Sequence, residues 1–338
     1  MRNETRVLFN KYAATIASIN KVASAMEKFT VDPSVQQRLE TRVQESSEFL
    51  KSINVIGVAE QEGEKLGLGM SGPIASTTDT SKQERQTVDP ATLEGRRYRC
   101  EQTNSDTHIS YQRLDAWAKF PDFQTRIRNE ILKRQALDRI MIGFNGVKRS
   151  PTSDRAANPR LQDVNKGWLQ NLREQAPQRA MKEVKPGSGK IVIGGAGGDF
   201  GTLDGLVYDM VHHLIEPWHQ DDTQLVVVCG RDLLADKYFP LVDKDRDPTQ
   251  QVAADIIISQ KRMGGLQAVQ VPFFPADALL VTRLDNLSIY FQDGTRRRTI
   301  VDNAKRDRIE NFESSNDAYV IEDLTGAAMA ENIQLVKA

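Results

Sequence analysis

Apolar residues at Phe9, Tyr12, Ile16, Ile19, Ala23 and Met26 recur every three or four positions. This predicts a helix within residues 1–29 that offers one narrow apolar face. Such a face serves either an amphipathic helix lying on its own domain or a removable helix that docks on another protein. Breakers follow in "FTVDPSV". Asp32 suits a helix cap, and Pro33 suits the first helical position, where an amide has no partner to lose. Val35, Leu39, Val43, Leu50 and Ile53 continue a second helix.

The period changes after Asn54. "EKLGLGMSGPIAS" alternates Leu66, Leu68 and Met70 with glycines, and "RYRCEQTNSDTHISYQRL" carries the Tyr, Thr and Ile of a strand. Between them, "STTDTSKQERQTVDP" is polar and offers little to a core. The two runs predict an extended hairpin. An isolated hairpin is only marginally stable in water, so one this polar needs a surface to lie on, and another molecule can supply it.

A long helix is predicted over roughly 121–142, with Phe123, Ile127, Ile131, Ala136 and Ile140 on one side and Gly143 and Gly146 as its stop. At 1.5 Å per residue it runs about 33 Å. Its other face holds Arg126, Arg128, Lys133, Arg134 and Arg139, a pattern that suits solvent or a contact between subunits. From Lys190 to about Val271, strands and helices alternate. "KIVIGG", "TQLVVVCG" and "LQAVQV" read as strands. "TLDGLVYDMVHHLIEPW", ended by Pro217, reads as a helix, as do "RDLLADKYF" and "QQVAADIIISQKR". This is a small α/β lobe. Beyond it the chain is β-rich: two short runs around Asp285-Asn286, then "RRRTIVD", "RIENFESSNDAYVIED" and "AAMAENIQLV".

The glycine run Gly194–Gly198 has the outline of a phosphate-binding turn. The dinucleotide fingerprint, however, needs glycine or alanine at 200, and Phe200 stands there. No Lys-Ser or Lys-Thr pair follows, so the phosphate-loop form fails as well. The run reads instead as a strand-to-helix connection, with Asp199 or Thr202 as the helix cap. His212 and His213 are adjacent and point apart on a helix, and neither HExxH nor HxxEH is present. Asp243, Asp245 and Asp247 open like a calcium loop, but Pro248 takes the required glycine position and Ala254 that of the bidentate Glu. Arg296, Arg297 and Arg298 suit phosphate, although Asp293 and Asp302 nearby favour an ion-pair network. No catalytic, cofactor-binding or metal-ligating set emerges.

Composition narrows the classes further. The 45 Lys and Arg nearly cancel the 46 Asp and Glu, which argues against a protein that works by neutralising phosphates. Cys100 and Cys229 cannot build a disulfide framework or a four-thiolate zinc site, and they suit a reducing compartment. The first residues lack the apolar core of a secretory signal, and no run is long enough to cross a bilayer, so no membrane is expected.

Five collinear blocks carry a resemblance: "FNGVKRS", "SDRAANPRLQDVNKGWLQ", "LIEPWHQDDTQLVVVCGRDLLADKYFP", "AADIIISQKRMGG" and "VPFFPADALLVTRLDNLSIYF". Over nearly its whole length the chain resembles the major capsid proteins of peduovirus-type tailed bacteriophages. The resemblance implies an α+β protein with the tailed-phage and herpesvirus capsid fold. It also implies assembly into hexamers and pentamers of an icosahedral head around double-stranded DNA that is held only non-specifically. Its partners would be its own copies, a scaffold and maturation protease, and a portal protein. It would be found in the virion capsid, and in the host cytoplasm during assembly, with no cofactor. The segments fall into place accordingly: 1–29 a removable scaffold-like piece, 30–53 the N-terminal arm, 54–112 the extended loop. Residues 113–189 hold the spine helix and peripheral domain, 190–275 the axial domain, and 276–338 the peripheral β region. The rival readings are an α/β nucleotide-binding enzyme using Gly194–Gly198 and a nucleic-acid-binding module using the spine-helix arginines.

Relatives of this kind lose an N-terminal stretch to a maturation protease, and the cut is expected near Phe29-Thr30. The apolar stripe ends at Met26 and the next helix cannot begin before Asp32 and Pro33. Residues 28–31 therefore form a short extended link, and proteases bind extended backbone. The piece carries more Lys and Arg than Asp and Glu, which suits transient binding to scaffold.

Overall fold

The computed structural model describes residues 1–70, 75–87, 91–120, 122–242 and 261–336. The first helix, α1 (Asn3–Ile19), ends where the Asn20 side chain donates to the Ile16 carbonyl at 2.8 Å and Lys21 turns left-handed at φ 56°. It stops well short of residue 29. Ile19 and Met26, read above as part of one face, stand on the surface, and Ala25 is buried instead. A two-residue strand β1 (Phe29–Thr30) leads to α2 (Pro33–Glu45). Asp32 caps α2 by accepting the Ser34 amide at 3.0 Å, with Pro33 in the first turn. Ser46 and Ser47 separate it from α3 (Glu48–Ser52).

Strand β2 (Asn54–Val58) precedes the hairpin β3 (Glu62–Met70) and β4 (Ala91–Arg99), which pair from Glu62↔Arg99 to Met70↔Ala91. Strands β5 (Glu101–Asn104) and β6 (Thr107–Ser110) and helix α4 (Tyr111–Trp117) follow. The projecting hairpin is thus narrower than 54–112. β2, β5 and β6 pair with β13 and β15 of the body, because their alternating half-buried side chains find partners there.

The long helix α5 (Phe123–Asn145) buries Leu132, Ala136, Ile140 and Ile142 in the main core. The side chains of Phe123, Arg126 and Ile127 lie outside the described residues. Gly143 does not stop the helix. It lets α6 (Trp168–Gln175) approach, since a Cβ there would stand 2.2 Å from Cζ3 of Trp168. Gly143→Ala is therefore expected to cost about 1–3 kcal/mol by overpacking, read as a lower urea midpoint with an unchanged slope.

The remaining elements are β7 (Ala180–Met181), β8 (Ile191–Ile193), α7 (Leu203–Leu214), α8 (Pro217–Gln220), β9 (Val226–Cys229) and α9 (Arg231–Val242). After them come β10 (Arg262–Met263), β11 (Leu266–Gln270), β12 (Leu279–Thr282), β13 (Leu287–Gln292), β14 (Arg297–Asn303), β15 (Arg308–Ile321), β16 (Ala328–Ala330) and β17 (Ile333–Leu335). Pro217 opens α8 rather than closing α7, as its fixed φ suits a first helical position. The helix predicted at "QQVAADIIISQKR" falls almost wholly outside the described residues.

Two sheets organise this α+β body. A seven-stranded sheet runs β1-β14-β15-β13-β2, with β5 and β6 also on the long strand β15. A six-stranded sheet runs β10-β11-β9-β12-β16-β7. Its alternation splits it cleanly. Val226, Val228, Leu280 and Met329 face a core shared with α5, α6 and the larger sheet. Val227, Cys229, Leu279, Val281, Ala328 and Ala330 face a second core under α7 and α9. The α/β lobe thus takes strands from both sides of 190–275: β7 precedes it, and β12, β16 and β17 follow. These last three are placed above with the peripheral β region; β12 and β16 are buried and apolar on both faces and fit a doubly covered sheet, while β17 pairs with β8 beside it.

Candidate intersubunit site

The glycine run is tied to its own chain. Gly194 donates to the Phe200 carbonyl at 2.8 Å, and Asp199 accepts the Val192 amide at 2.8 Å. Lys185 lies 3.4 Å from Asp199 and donates to the Gly197 carbonyl at 3.1 Å. At Gly194, where φ is +83°, a Cβ would also meet the Val336 carbonyl at 2.8 Å. Of the two proposed caps, Thr202 is the one on the helix, accepting the Gly205 amide at 3.2 Å. Asp204 fills the first turn of α7 and accepts from both Gly264 and Lys237 at 2.6 Å. A phosphate at that helix end would meet a carboxylate, so the sequence and the geometry agree in making the run a connection.

Three of the four histidines make local contacts. His213 Nδ1 lies 2.9 Å from Asp209, His212 packs at a tilt against Tyr208 at 4.4 Å between ring centres, and His219 bonds Asp323 and Thr325 at 3.1 Å. Asp243, Asp245 and Asp247 lie outside the described residues. Among the described residues no cluster of three or more His, Cys, Asp or Glu side chains has metal-binding geometry, and no helix is long and apolar enough to cross a membrane. Burial pushes the Cys100 thiol up to about 12 and the Cys229 thiol up to about 11, which keeps both protonated.

Arg139, read above as part of a face for solvent or a subunit contact, is buried, and so is Arg296. Arg139 of α5 pairs with Glu40 of α2 and, at 3.0 Å, with Asp317 of β15. Arg296 reaches Glu40 at 2.5 Å, Glu313 at 2.7 Å and Gln135 at 3.1 Å. The ion-pair expectation for 296–298 thus holds for Arg296, but with Glu40 and Glu313 rather than Asp293 and Asp302. Burial alone would raise the Glu40 carboxyl, but the Arg139 and Arg296 guanidiniums outweigh it and hold it below its ordinary 4.5. Glu313 is lowered against its burial by Arg296. For Asp317, burial dominates and its carboxyl is raised. Glu40 sits between Leu39 and Val43 on a helix, and a single charge in such a stripe gave no sign of partners so distant in sequence.

The surfaces left over are of another kind. The hairpin β3/β4 forms a sheet of its own. It is anchored at its base, where the half-buried Lys65 ammonium lies 2.7 Å from Glu322 and donates to the Ile321 carbonyl at 3.2 Å. Tyr98 packs edge-on against Tyr290 at 5.0 Å, and the Tyr290 hydroxyl donates to Glu322 at 2.8 Å. Alongside runs a trough of about 1300 Å³ between α5, β5–β6 and the loop after α5, with Trp117, Phe120, Ile131, Arg134 and Arg149 among its lining. Trp117 and Phe120 are 39% and 48% exposed.

The N-terminal segment lies on the outer edge of the larger sheet. Phe9, Ile16 and Ala17 pack with Tyr111, Leu114, Ile300 and Ile309 in a smaller cluster. Arg6 and the Tyr111 hydroxyl both bond Asp302, and the Arg2 amide donates to Asp115 at 2.9 Å. Phe29 and Thr30 are extended, as expected, and pair antiparallel with Arg298 and Arg297.

The body thus carries a doubly covered sheet, a hairpin that forms a sheet of its own and an open trough. Residues 8–333 match the family of phage major capsid proteins of the P2 type. The chain is 53% identical to the capsid protein of Escherichia phage P2 over 99% of its length and 96% of that protein. It is 39% identical to the major capsid protein of Serratia phage KSP20, covering 98% and 97%. The structure is similar to that of a satellite phage P4 procapsid containing the size-determination (Sid) protein. The TM-score is 0.83 at 51% identity, covering 100% of this chain and 99% of that one. The chain belongs to the P2 family of phage major capsid proteins.

Proposed function

We propose that copies of this chain tile an icosahedral phage head as hexamers and pentamers around double-stranded DNA. The observation that carries this reading is the hairpin, whose strands, among the described residues, pair with each other in a two-stranded sheet of their own. A two-stranded ribbon of that length is marginal in water, so it is completed by the trough of an adjacent copy, where Trp117 and Phe120 offer apolar surface. In this reading residues 30–53 form the arm, α5 the spine of the peripheral domain, and the six-stranded lobe the axial domain at the capsomer centre. The near-zero net charge suits a container that must not grip its genome. A portal at one vertex, and a scaffold and maturation protease acting in the host cytoplasm, complete the set of partners. The protease removes residues 1–29 near Phe29-Thr30.

Hydrogen exchange tests the central point. Backbone amides of residues 62–99 are expected to exchange fast in unassembled protein and slowly in shells. Equal protection in both states would overturn the reading. Intact-mass measurement on mature particles tests processing, and full-length chain throughout would make the segment a permanent part of the wall.

A further inference from the structure

We propose that the N-terminal segment locks its own processing bond, so that α1 must leave the sheet before a protease can cut. This rests on the reading that processing falls near Phe29-Thr30. A protease needs several consecutive residues extended and free to pair with its own cleft. Residues 29 and 30 are extended, but they and Val31 are already paired. Phe29 and Thr30 face Arg298 and Arg297, the Val31 amide donates to the Arg296 carbonyl at 2.8 Å, and the Ile300 amide donates to the Ala25 carbonyl at 3.0 Å. Phe29 and Val31 are 7% and 2% exposed, so the side chains on one face of the link are hidden as well. The link is thus an edge strand of the larger sheet, not a free tether.

What keeps it there is α1. The helix contributes Phe9, Ile16 and Ala17 to the same small cluster that buries Phe29 and Val31. Its Arg6 pairs with Asp302 on β14, the strand that β1 borders. The cluster is a satellite of the main core, joined to it through Leu39 of α2, which packs against both. Undocking α1 therefore opens the link without unfolding the body. Any partner that draws α1 away, such as a scaffold, would license the cut, and chain outside an assembly would be spared.

Chymotrypsin, which cleaves after Phe, serves as a probe independent of the native protease, with the Phe29-Thr30 product read by mass on the full chain. Phe9→Ala is expected to speed that cut tenfold or more. Arg6→Glu is expected to speed it several-fold, and adding Asp302→Arg should return it to the wild-type rate. The main unfolding transition should stay in place in all three. Unchanged cutting in Phe9→Ala and Arg6→Glu would overturn the lock. A native processing site outside residues 28–31, found by co-expression and mass analysis, would overturn the processing reading alone, and the chymotrypsin rates would still judge the lock.

Discussion

Replacing Arg139 with methionine is expected to destabilise the unassembled protein by about 3–5 kcal/mol, because it leaves two buried carboxylates without their shared cation. Asp317→Asn should cost much less. Glu40, Glu313 and Asp317 stand against Arg139 and Arg296, so removing one negative charge leaves the cluster balanced. The two kinds of carboxylate also pull stability in opposite directions with pH. Glu40 and Glu313 are held below 4.5, so their contribution is complete above 4.5 and is lost as pH falls through their folded values. Asp317 is raised above 3.8, so its contribution is complete below 3.8 and is lost as pH rises through its folded value. The stability of Asp317→Asn relative to wild type should therefore climb with pH across that window. Urea midpoints from acid to neutral pH measure it, and a flat or falling difference would place the raised carboxyl elsewhere.

Truncating the hairpin should have the larger functional effect. Leu66 faces Gly95 in the ladder, so removing 67–94 and joining the strands by an Asn-Gly turn keeps the register. The Lys65–Glu322 anchor and the Tyr98–Tyr290 contact remain. The body is expected to melt as in the full chain, while shell formation is lost altogether under electron microscopy. Closed shells of ordinary size from the truncated chain would remove the hairpin from the assembly contacts.

Much of this fold is legible in periodicity. α5, α7, β9 and β15 fall where the apolar spacing places them, since each carries its own periodic apolar pattern. The failures share one physical cause, which is that distant partners decide the outcome. Arg139 reads as part of a solvent or subunit-contact face, and Arg296 as paired with Asp293 or Asp302, until Glu40, Glu313 and Asp317 arrive from elsewhere. β12 and β16 look like neighbours of β13 and β15, yet β12 pairs with β9, and β16 with β12 and β7. α1 is shorter than its stripe because Asn20 and Lys21 end it locally, a signal weaker than six well-spaced apolar residues. Of the candidate site, the hairpin could be read from its polar tip and missing core. The trough could not, because its walls come from four separate segments.

The six-stranded sheet has a mechanical consequence. It takes β7 from before the α/β lobe and β12 and β16 from after it, so the chain passes back and forth between the two lobes. Tension between the lobes is then shared by several backbone strands in parallel instead of falling on one linker. Separating the lobes requires neighbouring ladders to shear together, which resists force far better than unzipping them one bond at a time. Each subunit would behave as a stiff plate. Changes in wall curvature would be taken up at its flexible margins, and the pressure of a packed genome would be borne by covalent chain running through the plate.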